Sequence, residues 1–236
     1  MNTPSNYGLP YKGSKSKLAE RIVGIFPRAT HFYDLFSGGC AISHCALLRN
    51  KFEHIHINDI NPMMPEAFIK ALNGDFENET RWISRDDFFK LKDTDPYVAI
   101  CFSFGNDLKT YCYGPDVEPI KKALHYALFF DTFELSDQYI GVDLRAIRHC
   151  NKMEDKYLLA KRIIKNAFSH NSPPMLESYQ RLRRIQATKL RTTAKYLEQD
   201  AQKKKLHTTS ILPFFKKDSI NWGGAIWKEQ FNMEHW

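Results

Sequence analysis

Two absences bound the chain before any motif is read. Its 236 residues hold only five cysteines, Cys40, Cys45, Cys101, Cys112 and Cys150, and no two of them stand as Cys-x-x-Cys. An odd number without paired spacing argues against a disulfide framework and against a metal site; free, mostly buried thiols are expected. Nor does any apolar run approach the ~20 residues that a bilayer-spanning helix needs. The start, Met1 to Lys17, is polar and lacks the apolar core of a secretion signal, so a cytoplasmic location and no membrane partner are expected. No solenoid-type repeat is present. With 43% hydrophobic and 26% charged residues, the composition is that of a folded chain rather than a disordered one, forming one large domain or a core with a smaller insert.

Acidic charge is scarce in one part only. Residues 1–150 carry 17 Lys+Arg against 19 Asp+Glu, whereas residues 151–236 carry 17 against 8. The net charge of +7 therefore arises from the second part. Phosphate is a natural partner for such a segment, because each neutralised phosphate releases counterions. A solvated helical face accounts for the same charges equally well.

The first sixty residues have the clearest pattern. A short helix is expected over Ser16 to Ile25, stopped near Pro27. His31 to Phe36 is an apolar, aromatic run suited to a buried strand. Ser37-Gly38-Gly39 reads as a turn, Ala41 to Lys51 as a helix, and His54 to Ile57 as a second strand. That strand ends at Asn58-Asp59-Ile60-Asn61, and Pro62 suits the start of the next helix. Strand, turn, helix, strand is a βαβ unit, which implies α/β architecture with a parallel sheet and right-handed crossover.

Beyond Phe76 the pattern changes. Residues 78–95 are polar, with apolar positions spaced as in a helix. Residues 97–104 form an apolar stretch leading into a loop of Gly105, Asn106 and Asp107. Residues 118–168 read as mostly helical with a break at Gly141, and residues 175–206 as a long basic helix. In the last thirty residues only Ser210-Ile211-Leu212 and Ser219-Ile220 hint at strands. Three segments result: 1–76, a nucleotide-binding half; 77–170, a mostly helical insert; and 171–236, a basic C-terminal segment.

Three blocks in the first segment point to a ligand. Doubly wound sheets bind ligands outside the carboxyl ends of their strands, and glycine in the first turn lets a ligand lie on bare backbone. Asp34 to Gly39 occupies that place, although a Gly-Gly after a strand is equally a plain turn. Asp59 follows Asp34 by 25 residues, near the spacing at which an acid meets ribose hydroxyls in nucleotide-binding βαβ units. It also suits a helix cap. Tyr11-Lys12-Gly13-Ser14-Lys15 is a turn between lysines just before a helix, either an anion site or a solvated arm.

In this order and spacing the three blocks resemble the Dam-type, alpha-group DNA adenine-N6 methyltransferases, with the phage and prophage members nearest. The resemblance implies a Rossmann-like fold, S-adenosyl-L-methionine as cofactor and double-stranded DNA as substrate, acted on by a single chain. It also implies cofactor contacts from Tyr11, Gly13, Lys15, Asp34, Phe36, Gly38, Gly39 and Asp59, with Ile60 against the adenine ring. More faintly, Arg81 to Ser84, Asp95-Pro96-Tyr97 and Cys101 to Asn106 resemble the entry to that family's DNA-recognition insert. Lys12, Asn106, Lys109 and Tyr111 are the DNA-contact candidates it implies, and Lys121, Lys122, His125 and Tyr126 lie in or near the insert.

One family block is missing. The reaction needs a flipped adenine whose amino group gives its hydrogens to a carboxylate and a carbonyl, supplied by Asp-Pro-Pro-Tyr. Asp95-Pro96-Tyr97 lacks one proline, follows a charged segment and precedes the insert instead of following it. Ser172-Pro173-Pro174-Met175 lacks the aromatic and reads better as a helix stop and restart. The catalytic residues are thus unassigned. Two readings follow: a site-specific adenine-N6 methyltransferase, or an inactive or truncated relative that keeps cofactor or DNA binding.

Overall fold

The computed structural model describes residues 7–168, 176–198 and 205–208. Its elements are α1 (Ala19–Ile25), β1 (Ala29–Asp34), α2 (Ala41–Arg49), β2 (Phe52–Ile57), α3 (Met63–Asn73), α4 (Arg85–Leu91), α5 (Pro96–Cys101), α6 (Glu118–Phe130), α7 (Glu134–Tyr139), α8 (Met153–Phe168), α9 (Glu177–Glu198) and β3 (Lys205–Thr208). Single 3-10 turns lie at Phe104–Asn106 and Arg145–His149.

The expected βαβ unit is present, but β1 is not the buried strand expected: none of its residues is buried, and Thr30, His31 and Tyr33 are exposed. β1 and β2 pair in parallel with Asp34 opposite Ile57, so both strands end at the same level. Beyond that register Asn58 N donates to Asp34 O at 2.9 Å and Ser37 N to Asn58 O at 2.9 Å. The two loops that follow the strands are therefore laced together. Between the strands, α2 turns its apolar face inward: Ala41, Cys45, Ala46, Leu47 and Leu48 are buried, and Ile55 and Ile57 of β2 lie in the same core. The helix ends at Asn50 in the left-handed region, φ 57°, a conformation that asparagine tolerates at a C-cap.

The described sheet is small: three parallel strands in the order β1-β2-β3. Its third strand corrects the sequence reading. Lys205 and Leu206 fall at the end of the expected basic helix, yet they belong to Lys205–Thr208, a strand that pairs with β2. A four-residue strand of this composition carries no alternation strong enough to mark it. The two strand hints at Ser210 to Leu212 and Ser219-Ile220 lie outside the described residues.

Most of the expected helices form, with sharper ends. Ser84 caps α4, its hydroxyl accepting from Asp87 N. Asp95 caps α5, accepting from Tyr97 N at 2.9 Å, and Pro96 stands at the first helical position, where its missing N–H costs nothing. The apolar stretch 97–104 is thus helical at its start, with every residue of α5 buried. An element buried on all sides has no periodicity to read. The break at Gly141 is real, at φ 69°. One hydrophobic core runs from Tyr7 to Ile185. α9 contributes to it by packing on α3 and α5, held by Arg181 to Cys101 O at 2.8 Å and Gln186 to Phe76 O at 2.9 Å.

Candidate functional site

The site is built where β1 and β2 end. The chain leaves β1 through Leu35 to Gly39 and enters α2 at Cys40, itself left-handed at φ 57°. Gly38 is left-handed too, at φ 48°, which glycine adopts at no steric cost. Its N–H donates to Asp59 Oδ2 at 2.7 Å. The other carboxylate oxygen, Oδ1, accepts from Asn61 N at 3.0 Å. Asp59 therefore fastens the second strand's loop to the first strand's glycine turn. It does not cap the next helix; Asn61 Oδ1 accepts from Met63 N at 3.2 Å instead.

Asp34, on the strand itself, lies behind the turn. Its Oδ2 accepts from Ser43 Oγ on α2 at 2.6 Å. Burial raises its carboxyl above the usual range, the nearby charge of Asp59 adds to that, and the Ser43 hydrogen bond opposes it. Burial likewise pushes the Cys40 thiol up, so this cysteine is a packing group and not a thiolate.

The N-terminal arm crosses over the turn. Leu9 N donates to Gly39 O at 2.7 Å, and Gly8 N to His44 Nδ1 at 3.0 Å. A Cβ on Gly8 would stand 2.2 Å from Gly39 O, and one on Gly39 would stand 2.7 Å from Leu9 O. Glycine is required at both positions by backbone crossing backbone. The Tyr11 ring then covers Gly38, its edge 3.1 Å from where a Cβ would be. Partial burial, with the charge of Asp59 second, raises the Tyr11 hydroxyl.

Of the nine residues implied for the cofactor, the structure thus gathers Tyr11, Asp34, Gly38, Gly39 and Asp59 in mutual contact or one step removed. Phe36 and Ile60 stand on the two loops, 78% and 79% exposed. Gly13 and Lys15 stand apart on the arm's own turn, where Lys15 Nζ folds onto Gly13 O at 2.9 Å. Gly8, Ser43, His44 and Asn58 were missed by sequence reasoning. The available signals were a glycine just before the first block, and a serine and a histidine inside an otherwise apolar helix.

The implied DNA contacts divide. Lys12 N donates to Asn106 O at 3.1 Å, so the arm touches the loop after α5. Lys12 and Lys109 are exposed there, and Asn106 is left-handed at φ 57°. Tyr111 is placed differently. It is buried, its hydroxyl donates to Ile83 O at 2.8 Å, and its ring packs against Phe88 and Tyr113, leaving no face for a base. Lys121 and His125 are buried as well; Lys121 pairs with Glu177 at 2.9 Å. Asp95-Pro96-Tyr97 is a helix cap whose tyrosine is buried, donating its hydroxyl to Arg81 O at 2.8 Å. Ser172 to Met175 lies outside the described residues. No group of three or more His, Cys, Asp or Glu is placed to hold a metal among the described residues, and no helix among them is long and apolar enough to cross a membrane.

No curated protein and no solved structure matches the chain. A family model does, that of the D12 class N6 adenine-specific DNA methyltransferases, over residues 11–109. The matched span starts at Tyr11 and takes in the glycine turn, Asp59 and the loop that meets Lys12. Residues 11–109 are thus similar to the D12 class N6 adenine-specific DNA methyltransferase domain, a likeness that supports a Dam-type adenine methyltransferase.

Proposed function

We propose that the chain binds S-adenosyl-L-methionine at the end of β1 and β2 and transfers its methyl group to N6 of an adenine flipped out of double-stranded DNA. The observation that carries the cofactor half is Asp59, fixed to the glycine turn at 2.7 Å and flanked by the open side chains of Phe36 and Ile60. An adenosine offers what this surface is suited to take: vicinal hydroxyls for the carboxylate and a flat ring for the apolar pair. Each Asp59 oxygen accepts one backbone hydrogen bond and has a second lone pair suited to a hydroxyl. When bound, the cofactor supplies a methyl group activated by its sulfonium charge.

The chain's own residues then have distinct tasks. Asp59 orients the ribose, Phe36 and Ile60 exclude water from the ring, and Tyr11, Gly13 and Lys15 close the methionine side. Asp34 holds α2 to the turn through Ser43 and keeps the floor rigid. Lys12 and Lys109, exposed on either side of the arm–loop contact, meet phosphates and position the duplex. S-adenosyl-L-methionine, DNA and a soluble, cytoplasmic setting belong together in this reading.

A second reading is a relative that binds without transferring. It is favoured by one observation: a near match to the family's catalytic block, Asp95-Pro96-Tyr97, serves as a helix cap and start, its proline and tyrosine buried. Incubation of the full chain with labelled S-adenosyl-L-methionine and unmethylated DNA separates the two. N6-methyladenine in the digested DNA is the expected product. Cofactor binding with no labelled adenine, across DNA of varied sequence, would select the second reading.

A further inference from the structure

The outward face of the sheet carries a cluster of rings that the site above does not use. In the β1–β2 register His31 lies beside His54, and Tyr33 beside His56. Positions two apart on a strand share a face, so all four project to the same side. Ile55 and Ile57 project to the other side and are buried. His31 and Tyr33 are exposed, while His54 and His56 are half-buried. His31 stacks on His54 with centroids 5.0 Å apart, and Tyr33 on His56 at 4.3 Å with planes 9° apart.

Within this cluster His31 Nδ1 stands 3.1 Å from His56 Nε2. Two neutral imidazoles at that distance share one hydrogen bond, one nitrogen donating and the other accepting. The same separation suits two nitrogens on one cation. With metal–nitrogen bonds of ~2.0–2.1 Å and a tetrahedral angle, the nitrogens lie ~3.3 Å apart. Replacing the shared proton by a cation thus changes the nitrogen separation by only a few tenths of an ångström, while each ring pivots to aim its lone pair at the ion. The stacked partners, His54 on one ring and Tyr33 on the other, restrict how far each imidazole can swing.

We propose that His31 and His56 form a two-histidine surface site for a divalent transition-metal cation of the zinc, nickel and copper class. No third His, Cys, Asp or Glu is grouped with them among the described residues. Imidazole nitrogen selects these cations over magnesium and calcium, which prefer oxygen. A bound ion ties β1 to β2 three residues before Asp34 and three before Asp59, the two acids of the glycine-turn site.

Calorimetric titration of ZnCl2 into the untagged, metal-free full chain tests the site. One ion per chain is expected, with affinity falling at least tenfold in His31→Gln and in His56→Gln and unchanged in His149→Gln, an exposed histidine on a separate 3-10 turn. A second readout needs no variant: CuCl2 bound to the wild-type chain should show an electron paramagnetic resonance spectrum split by two equatorial nitrogens. Zinc affinity equal in wild type and the His31→Gln/His56→Gln double variant overturns the proposal, as does a copper spectrum without two-nitrogen splitting. Neither readout depends on methyl transfer, so the two proposals can fail separately.

Discussion

His125 makes the chain's stability acid-sensitive in a way that can be calculated. It lies on α6, 2% exposed, with Trp82 at 5.4 Å and Phe129 at 4.5 Å between ring centroids. Nε2 lies 2.8 Å from Thr80 O; the carbonyl can only accept, so this nitrogen carries the proton in the neutral ring. Nδ1 is buried with no hydrogen-bond partner among the described residues. Protonating it places a charge among aromatic rings, and burial lowers the imidazole from 6.5 to about 4, with the Thr80 hydrogen bond opposing. For a base whose folded pKa is depressed, the unfolded chain takes up the proton first. The stabilisation is therefore complete above 6.5 and lost as pH falls toward 4, amounting to ~3 kcal/mol over the whole window. Between pH 7.5 and pH 5 the loss is ~2 kcal/mol. Urea unfolding at those two pH values measures it. His125→Gln, whose amide can still donate to Thr80 O, should lose ~2 kcal/mol less than wild type over the interval. Equal losses in the two proteins would refute the reasoning, as would an NMR titration placing the His125 midpoint above pH 6.

Two further substitutions test the packing around the site. Gly8→Ala combines φ 67° with a Cβ 2.2 Å from Gly39 O, so the arm must leave the glycine turn. A fall in thermal midpoint and loss of cofactor binding are expected together. Gly13→Ala, at φ 81° but with open space around the Cβ, should cost only the ~1–2 kcal/mol of the left-handed backbone. In the helical part, Glu177→Ala removes the carboxylate facing Lys121 Nζ at 2.9 Å. The lysine side chain is 2% exposed and its partner 40%. Leaving that ammonium without the carboxylate should cost ~2 kcal/mol in chemical denaturation, whereas Lys121→Met should be close to neutral.

The glycine-turn half of the candidate site was legible in the sequence because its signals are local. A hydrophobic run, a glycine pair, an apolar helix and a second run identify β1, α2 and β2 in order. Register then brings Asp34 and Asp59 to one end whatever the rest of the chain does. Features that depend on distant packing were not legible. Tyr111 and Asp95-Pro96-Tyr97 have the composition of functional groups; only the fold shows that one fills the core and the other starts a helix. α5 is buried throughout and so has no amphipathic period, and β3 is too short to show alternation. Gly8 and His44 act through an arm crossing the turn, a contact between segments 36 residues apart. The His31–His56 pair arises from strand register across 25 residues, which no spacing rule for metal ligands covers.

Asp59 carries the central claim, since its carboxylate fastens the loop that would hold a ribose directly to Gly38 of the glycine turn. Calorimetric titration of the full chain with S-adenosyl-L-methionine, set beside Asp59→Ala and Asp59→Asn, is the direct measurement. Saturable binding by the wild type is expected, abolished by Asp59→Ala and weakened at least tenfold by Asp59→Asn, whose amide keeps one acceptor oxygen. No binding by a folded wild-type chain, or binding indifferent to both substitutions, would contradict the account.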